Sequence, residues 1–370
     1  MRGRLIAVAV LVAIHAYAQS PLERAVSLVR EKRYAEARTA LKGVQEPADA
    51  VQRVAFHRLK AAIASGLGDS KGAAEEMRSA LALAPTDPGL LLATAVAEQQ
   101  AGFLDEALQH ARGAGSTAQA QAVIGDIEEK RGEFVDAAKA YQSAIALAPD
   151  REQYRIALAL ELVQHQSFPP AIAVLQQAAP LFPKSGKIRT LLGIAQYGDG
   201  DVAGAEKSLT EAIAADPNLQ PAYVYLTRLA LDSSAAPPDE VVNALCGWNV
   251  TVCSAMKLRI AREKDDAKLR SEAIAGLKRA PPGDVIGHCE LGRAYEWIGQ
   301  IPEARTQMEQ CVRLDPSPQN HYRLALIYKQ LGLTELSDRE MALRKKTTDN
   351  MSEEAARRTE AVQTFQFVIK

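Results

Sequence analysis

A chain of 370 residues with 24% charged residues and a formal net charge of −1 offers no electrostatic footprint for nucleic acid or an acidic membrane surface. Its alanine-rich composition, with 5% aromatic residues, suits helices packed through small side chains. Length alone suggests about two domains, a prior that fails for repeat arrays.

Residues 1–18 read as a secretory signal peptide. Arg2 and Arg4 give a positive start, Leu5 to Ile14 is an apolar run, and Ala16-Tyr17-Ala18 is a small-x-small cleavage site before Gln19. The run falls well short of the ~20 residues a spanning helix needs. No cysteine follows it, which disfavours a lipid-anchored amino terminus. Cleavage after Ala18 is expected to leave a soluble mature chain with no transmembrane span, periplasmic or secreted.

Helix-pair segments follow. Residues 20–48 hold Tyr34, Ala37 and a closing Pro47; residues 50–86 hold Gly68, Ala73, Met77, Ala80 and Pro85. Residues 88–114 hold Gly102, Ala107 and Ala111, and are cut short at Gly113-Ala114-Gly115. Residues 118–219 then repeat one pattern three times. Ile124, Leu158 and Leu192 share a fixed spacing, as do Gly125, Ala159 and Gly193. The same holds for Ala137, Ala171 and Ala205, for Ala144, Ala178 and Ala212, and for Pro149, Pro183 and Pro217. Such a period means stacked supersecondary units. In the copy from Ala118, a helix to Gly132 is followed by a second one that Pro149 stops. One pair cannot bury its apolar stripe alone, so copies must stack.

On Leu192-Gly193, Gly200, Ala205, Ala212 and Pro217, with the same offsets in the flanking copies, the chain resembles the tetratricopeptide repeat family. The tryptophan usual at the family's fourth position is replaced here by Gln121, Arg155, Arg189 and Tyr223. The resemblance implies an all-α, right-handed superhelical solenoid of antiparallel helix pairs. It implies a non-catalytic scaffold for a protein or peptide, of the kind that supports envelope or secretion complexes.

After residue 219 the pattern loosens. Tyr223, Leu226 and Ala230 begin another copy, and Ser233 to Pro238 is a loop. Residues 239–280 are helical but out of phase, and Pro281-Pro282-Gly283 resets the register. A repeat at 285–317 holds Leu291, Gly292, Tyr295, Gly299, Ala304, Cys311 and Pro316; the next holds Leu324, Ala325, Tyr328, Gly332 and Met341. The expected organisation is an array over 19–232, an irregular helical insert over 233–284, a repeat pair over 285–350 and a capping helix over 351–370. Ser352 is the expected cap of that last helix, which ends in Phe365, Phe367 and Val368 and covers the last repeat's stripe.

Four cysteines in an exported chain make an even count. Cys246 and Cys253 are close in sequence around a glycine; Cys289 and Cys311 fall opposite each other in one antiparallel pair. Two disulfides, Cys246–Cys253 and Cys289–Cys311, are expected. His288, Cys289, Cys311 and His321 match no common zinc spacing. Ser185-Gly186-Lys187 lacks the earlier glycine and the preceding strand of a phosphate loop. No catalytic, metal or cofactor motif stands out.

In the family, the first helix of each pair lines a concave groove. Carried over, that gives Leu92, Val96, Ile156, Leu160, Val163, Thr190, Ile194, Tyr197, Val224, Tyr225 and Arg228 as partner-binding residues. They are unusually apolar and aromatic for a solvent face, which marks a binding site for a helix or extended peptide. The alternative is structural: a terminal segment fills the groove, or the register places these residues in the core. A second functional class also stays open, an enzyme accessory with a small-molecule or redox site at the Cys246–Cys253 insert beside Trp248.

Overall fold

The computed structural model describes residues 20–232 and 237–366, and side chains as far as residue 353. The expected signal peptide, part of the loop at 233–238, and the side chains of Phe365, Phe367 and Val368 lie outside the described residues. Among those described there are twenty α-helices and no strand. The chain divides into two compact units after Gly132.

The first unit holds α1 (Pro21–Arg30), α2 (Tyr34–Ala40), α3 (Ala50–Gly66), α4 (Ser70–Leu83), α5 (Pro88–Ala101), α6 (Leu104–Gly113) and α7 (Ala118–Arg131). The second opens with α8 (Phe134–Leu147), α9 (Glu152–Gln164), α10 (Phe168–Ala178), α11 (Gly186–Asp199), α12 (Val202–Ala215) and α13 (Gln220–Asp232). It continues through α14 (Asp239–Trp248), α15 (Val250–Lys264), α16 (Ala267–Leu277), α17 (Val285–Trp297), α18 (Ile301–Leu314), α19 (Pro318–Gln330) and α20 (Thr334–Gln366).

Local chemistry sets these boundaries. Side chains of Asp87, Thr117, Ser185, Asp284 and Ser317 each accept a backbone N–H at a first-helix start, satisfying donors that the helix itself cannot. Gly132, at φ 82°, ends α7 in the left-handed region that a residue with a Cβ enters only at a cost. In the second unit each first helix packs on its own second helix and on the next first helix: α9 on α11, α11 on α13, α13 on α15, α15 on α17. The first helices therefore form one continuous row, and the second helices flank it.

The repeated small residues have a clear task. Ala137, Ala171, Ala205, Ala144, Ala178 and Ala212 are all fully buried. At Gly193 an added Cβ would lie 2.6 Å from Leu209 Cγ and 3.1 Å from the Ala205 carbonyl oxygen, so α11 and α12 meet there almost backbone to backbone. The core of α8–α11 is built on Leu158, Leu162, Leu175 and Ile188; a second core, from Leu209 to Tyr328, carries the rest of the unit.

Cross-helix polar bonds brace individual pairs. His57 Nδ1 bonds Glu76 at 2.7 Å, His288 Nδ1 bonds Gln307 at 2.8 Å, and His321 Nδ1 bonds Glu340 at 2.6 Å, each 19 residues apart. In the first unit the fully buried Glu98 accepts from Arg78 Nε at 2.6 Å and meets His110 Nδ1 at 2.7 Å.

Two elements differ from their reading in sequence. The stretch 233–284 holds α14 and a regular antiparallel pair, α15 and α16, that packs between α13 and α17. Asp265, in the left-handed region, ends α15, and Asp266 caps α16. Ser352 caps nothing, because α20 runs without a break from Thr334 to Gln366; no separate helix begins near residue 351. Nothing between Met341 and Ser352 stops the helix, since that stretch contains neither glycine nor proline.

Candidate functional site

The groove residues named from sequence fall into three groups. Leu92 and Val96 lie in the first unit, half-buried against Ala95, Leu108 and Ile127. Ile156, Val163 and Ile194 are half-buried against the core of α8–α11. Leu160, Val224 and Arg228 are exposed, and Tyr197 and Tyr225 half-exposed. Thr190 is a correction: it is buried, and its hydroxyl donates to the Gly186 carbonyl at 2.9 Å within α11. It turns into the helix pair, not out to a partner, because the small residues of α11 draw that face onto α12.

The accessible set belongs to the row of first helices in the second unit. On α11 the Tyr197 hydroxyl donates to Asp232 Oδ2 at 2.9 Å, and Arg228 Nε lies 3.8 Å from the same oxygen. Partial burial and the Asp232 carboxylate push the Tyr197 phenol up. The row continues with residues that the repeat pattern did not single out. Arg259 of α15 donates to the Leu231 carbonyl. Burial pulls its guanidinium down; Arg293 and Arg262 add to that, and Glu290 and Asp232 oppose it. Buried Glu290 accepts from Arg293 at 2.6 Å, and Arg323 of α19 reaches Glu296 of α17 at 2.9 Å. Arg262 and Arg270 lie over the Trp297 ring at 6.0 and 4.9 Å. Surface charge carries no repeat period, so spacing hid these arginines; a count of charge on alternate helices reveals them.

The four cysteines are bonded as two pairs. Cys246–Cys253 joins α14 to α15 with S–S 2.06 Å, and Cys289–Cys311 joins α17 to α18 with S–S 2.05 Å. Trp248 stacks on Tyr223 at 5.0 Å, so both unusual features of the 246–253 segment are used in packing. Among the described residues no group of three or more His, Cys, Asp or Glu is placed to hold a metal ion. Nor is any described helix long and apolar enough to cross a membrane.

Residues 156–219 match the model of the Tetratricopeptide repeat family; they span α9 to α12 and the turn that follows. Those residues carry tetratricopeptide repeats. Such repeats form scaffolds for protein–protein interaction and are typically non-catalytic. No curated protein matches the chain. Among solved structures, it is similar to the C-terminal part of a tetratricopeptide repeat-containing protein from Cytophaga hutchinsonii, at 15% identity and a TM-score of 0.45, covering 80% of this chain and 95% of that one. A tetratricopeptide repeat protein from Parabacteroides merdae is 14% identical, with 77% and 98% covered and a TM-score of 0.40. Pseudomonas aeruginosa pilF is 15% identical, with 61% and 98% covered and a TM-score of 0.43.

Proposed function

We propose that this tetratricopeptide repeat chain is a non-catalytic scaffold that works outside the cytoplasm, holding a protein or peptide segment along the first-helix row of its second unit and supporting an envelope or secretion complex. The observation that carries the reading is the surface of α9, α11 and α13. Exposed Leu160 and Val224, together with Tyr197, Tyr225 and Arg228, lie on helices fixed by packed cores. Apolar anchors interleaved with hydrogen-bonding groups on a rigid frame suit an extended or helical segment. The export reading is supported by Arg2, Arg4, the apolar run and the Ala16–Ala18 site. Two bonded cysteine pairs suit an oxidising compartment.

The test is affinity capture from an envelope extract with the chain from Gln19 onward, beside a variant carrying Tyr197→Ala, Tyr225→Ala and Arg228→Ala. A protein held by the wild type and lost by the variant is the expected result. Equal capture by both removes the assignment to this row. For export, the intact mass of the protein recovered from each cell fraction is decisive: a periplasmic or secreted species starting at Gln19 is expected, and an unprocessed cytoplasmic chain would defeat that half of the reading.

A further inference from the structure

Charge is segregated between the two sets of helices from α11 to α19. The first helices α11, α13, α15, α17 and α19 together carry ten lysines and arginines against five aspartates and glutamates. The second helices between them, α12, α14, α16 and α18, carry five against seven. The whole chain is close to neutral, so the surplus belongs to one row and not to composition.

Side-chain geometry shows how the surplus is held. Arg228, Arg259, Arg262, Arg293 and Arg323 come from four successive helices of the row. Asp232 is shared between Tyr197 and Arg228, and Glu290 and Glu296 are engaged by Arg293 and Arg323. Exposed Glu263 stands one turn beyond Arg259. Arg293 keeps its Nε buried with no hydrogen-bond partner among the described residues. Arg262 is exposed over Trp297.

We propose that the row from α13 to α19 takes an acidic peptide segment, whose side-chain carboxylates pair with Arg228, Arg262 and their neighbours while its apolar residues rest near Val224 and Tyr225. This rests on the peptide-binding reading above and adds the chemistry of the partner. Guanidinium–carboxylate pairs are strong where they are partly desolvated, and they select by charge. The carboxylates already interleaved with the arginines would repel a continuous phosphate backbone. A peptide, with carboxylates spaced along an otherwise neutral strand, avoids that repulsion.

Fluorescence anisotropy of the full mature chain tests this with four labelled probes: a glutamate–leucine peptide, its lysine–leucine counterpart, a serine–leucine peptide and single-stranded DNA. Preference for the glutamate probe is expected, weakening steeply as salt rises. Arg228→Glu with Arg262→Glu, both at exposed positions, should weaken that probe about tenfold or more and the serine–leucine peptide far less. If the charge reversal unfolds the chain by circular dichroism, Arg228→Gln with Arg262→Gln gives the same readout at smaller amplitude. Equal binding of glutamate and lysine probes, or tighter binding of DNA, overturns the acidic partner. A serine–leucine peptide held as well as the acidic one overturns it too, while leaving the peptide-binding reading intact. Failure of every peptide probe removes both.

Discussion

Single residues in this chain act through close approach and buried charge. Gly193 faces Leu209 and the Ala205 carbonyl, and Leu209 is fully buried. Gly193→Ala should therefore destabilise the chain by about 1–3 kcal/mol, the usual cost of overpacking a tight core, measured as a lower denaturation midpoint. Chemical denaturation giving the variant a midpoint equal to the wild type would show that α11 and α12 relax apart freely. Glu98 is the reverse case, a buried carboxylate enclosed by the Arg78 guanidinium and the His110 imidazole. Glu98→Ala removes two charge-assisted bonds and should cost about 2 kcal/mol, moderated because Arg78 is partly exposed and can turn to water. Tyr328 reports on pH. Partial burial, then its hydrogen bond to Glu309 Oε1 at 2.9 Å, push the phenol up to about 12. The folded chain thus holds that proton more tightly than the unfolded chain, whose phenols lose it near 10. The stabilisation is whole below about pH 10 and is lost as the pH climbs from there towards 12. Ultraviolet phenolate titration should show a late-titrating tyrosine that disappears in Tyr328→Phe; an unchanged titration would place Tyr328 in an ordinary environment.

Elements are joined by periodic packing in some places and by covalent links in others. Cys289–Cys311 closes a loop of 22 residues between α17 and α18. Replacing both by alanine should cost about 3 kcal/mol through the freer unfolded chain, read as a lower midpoint in non-reducing denaturation. A loss near zero would mean that the helix pair is fixed by Ala304, Met308 and their neighbours alone. The pairs of residues 118–219 were legible in sequence because helices that approach so closely accept only small residues, and those must recur at the period of the stack. The α15–α16 pair was not legible as such. It packs in the same row, but Asp265 and Asp266 form its turn where most other copies use glycine, and no proline marks its end at the repeat spacing. Ser352 misled because a good capping residue acts only where the helix before it has ended. The exposed candidates Leu160, Val224 and Arg228 followed from register, whereas Thr190 showed that register alone cannot distinguish the seam from the surface. Arg259, Arg262, Arg293 and Arg323 escaped the repeat pattern, because a row of charge assembled from α15, α17 and α19 leaves no spacing in the chain.

The molecule as a whole is two units whose cores use their own residues. Both large clusters of the second unit draw on residues from Phe134 onward. A fragment from Glu133 to Lys370 should keep its helical circular dichroism and melt cooperatively; a broad, non-cooperative melt would show that it needs residues before Gly132. Repeat arrays gain stability from interfaces between neighbours, and the polar braces divide by whom they depend on. The Arg78–Glu98 contact links one pair to the next, so both pairs must be present for it to exist. The contacts of His57, His288 and His321 instead join positions 19 apart inside one pair. A gene segment encoding a single pair therefore carries both halves of its brace, and tandem duplication or loss of that segment leaves no orphaned histidine. Such a chain can grow or shrink by whole pairs while each copy arrives with its own internal fastening.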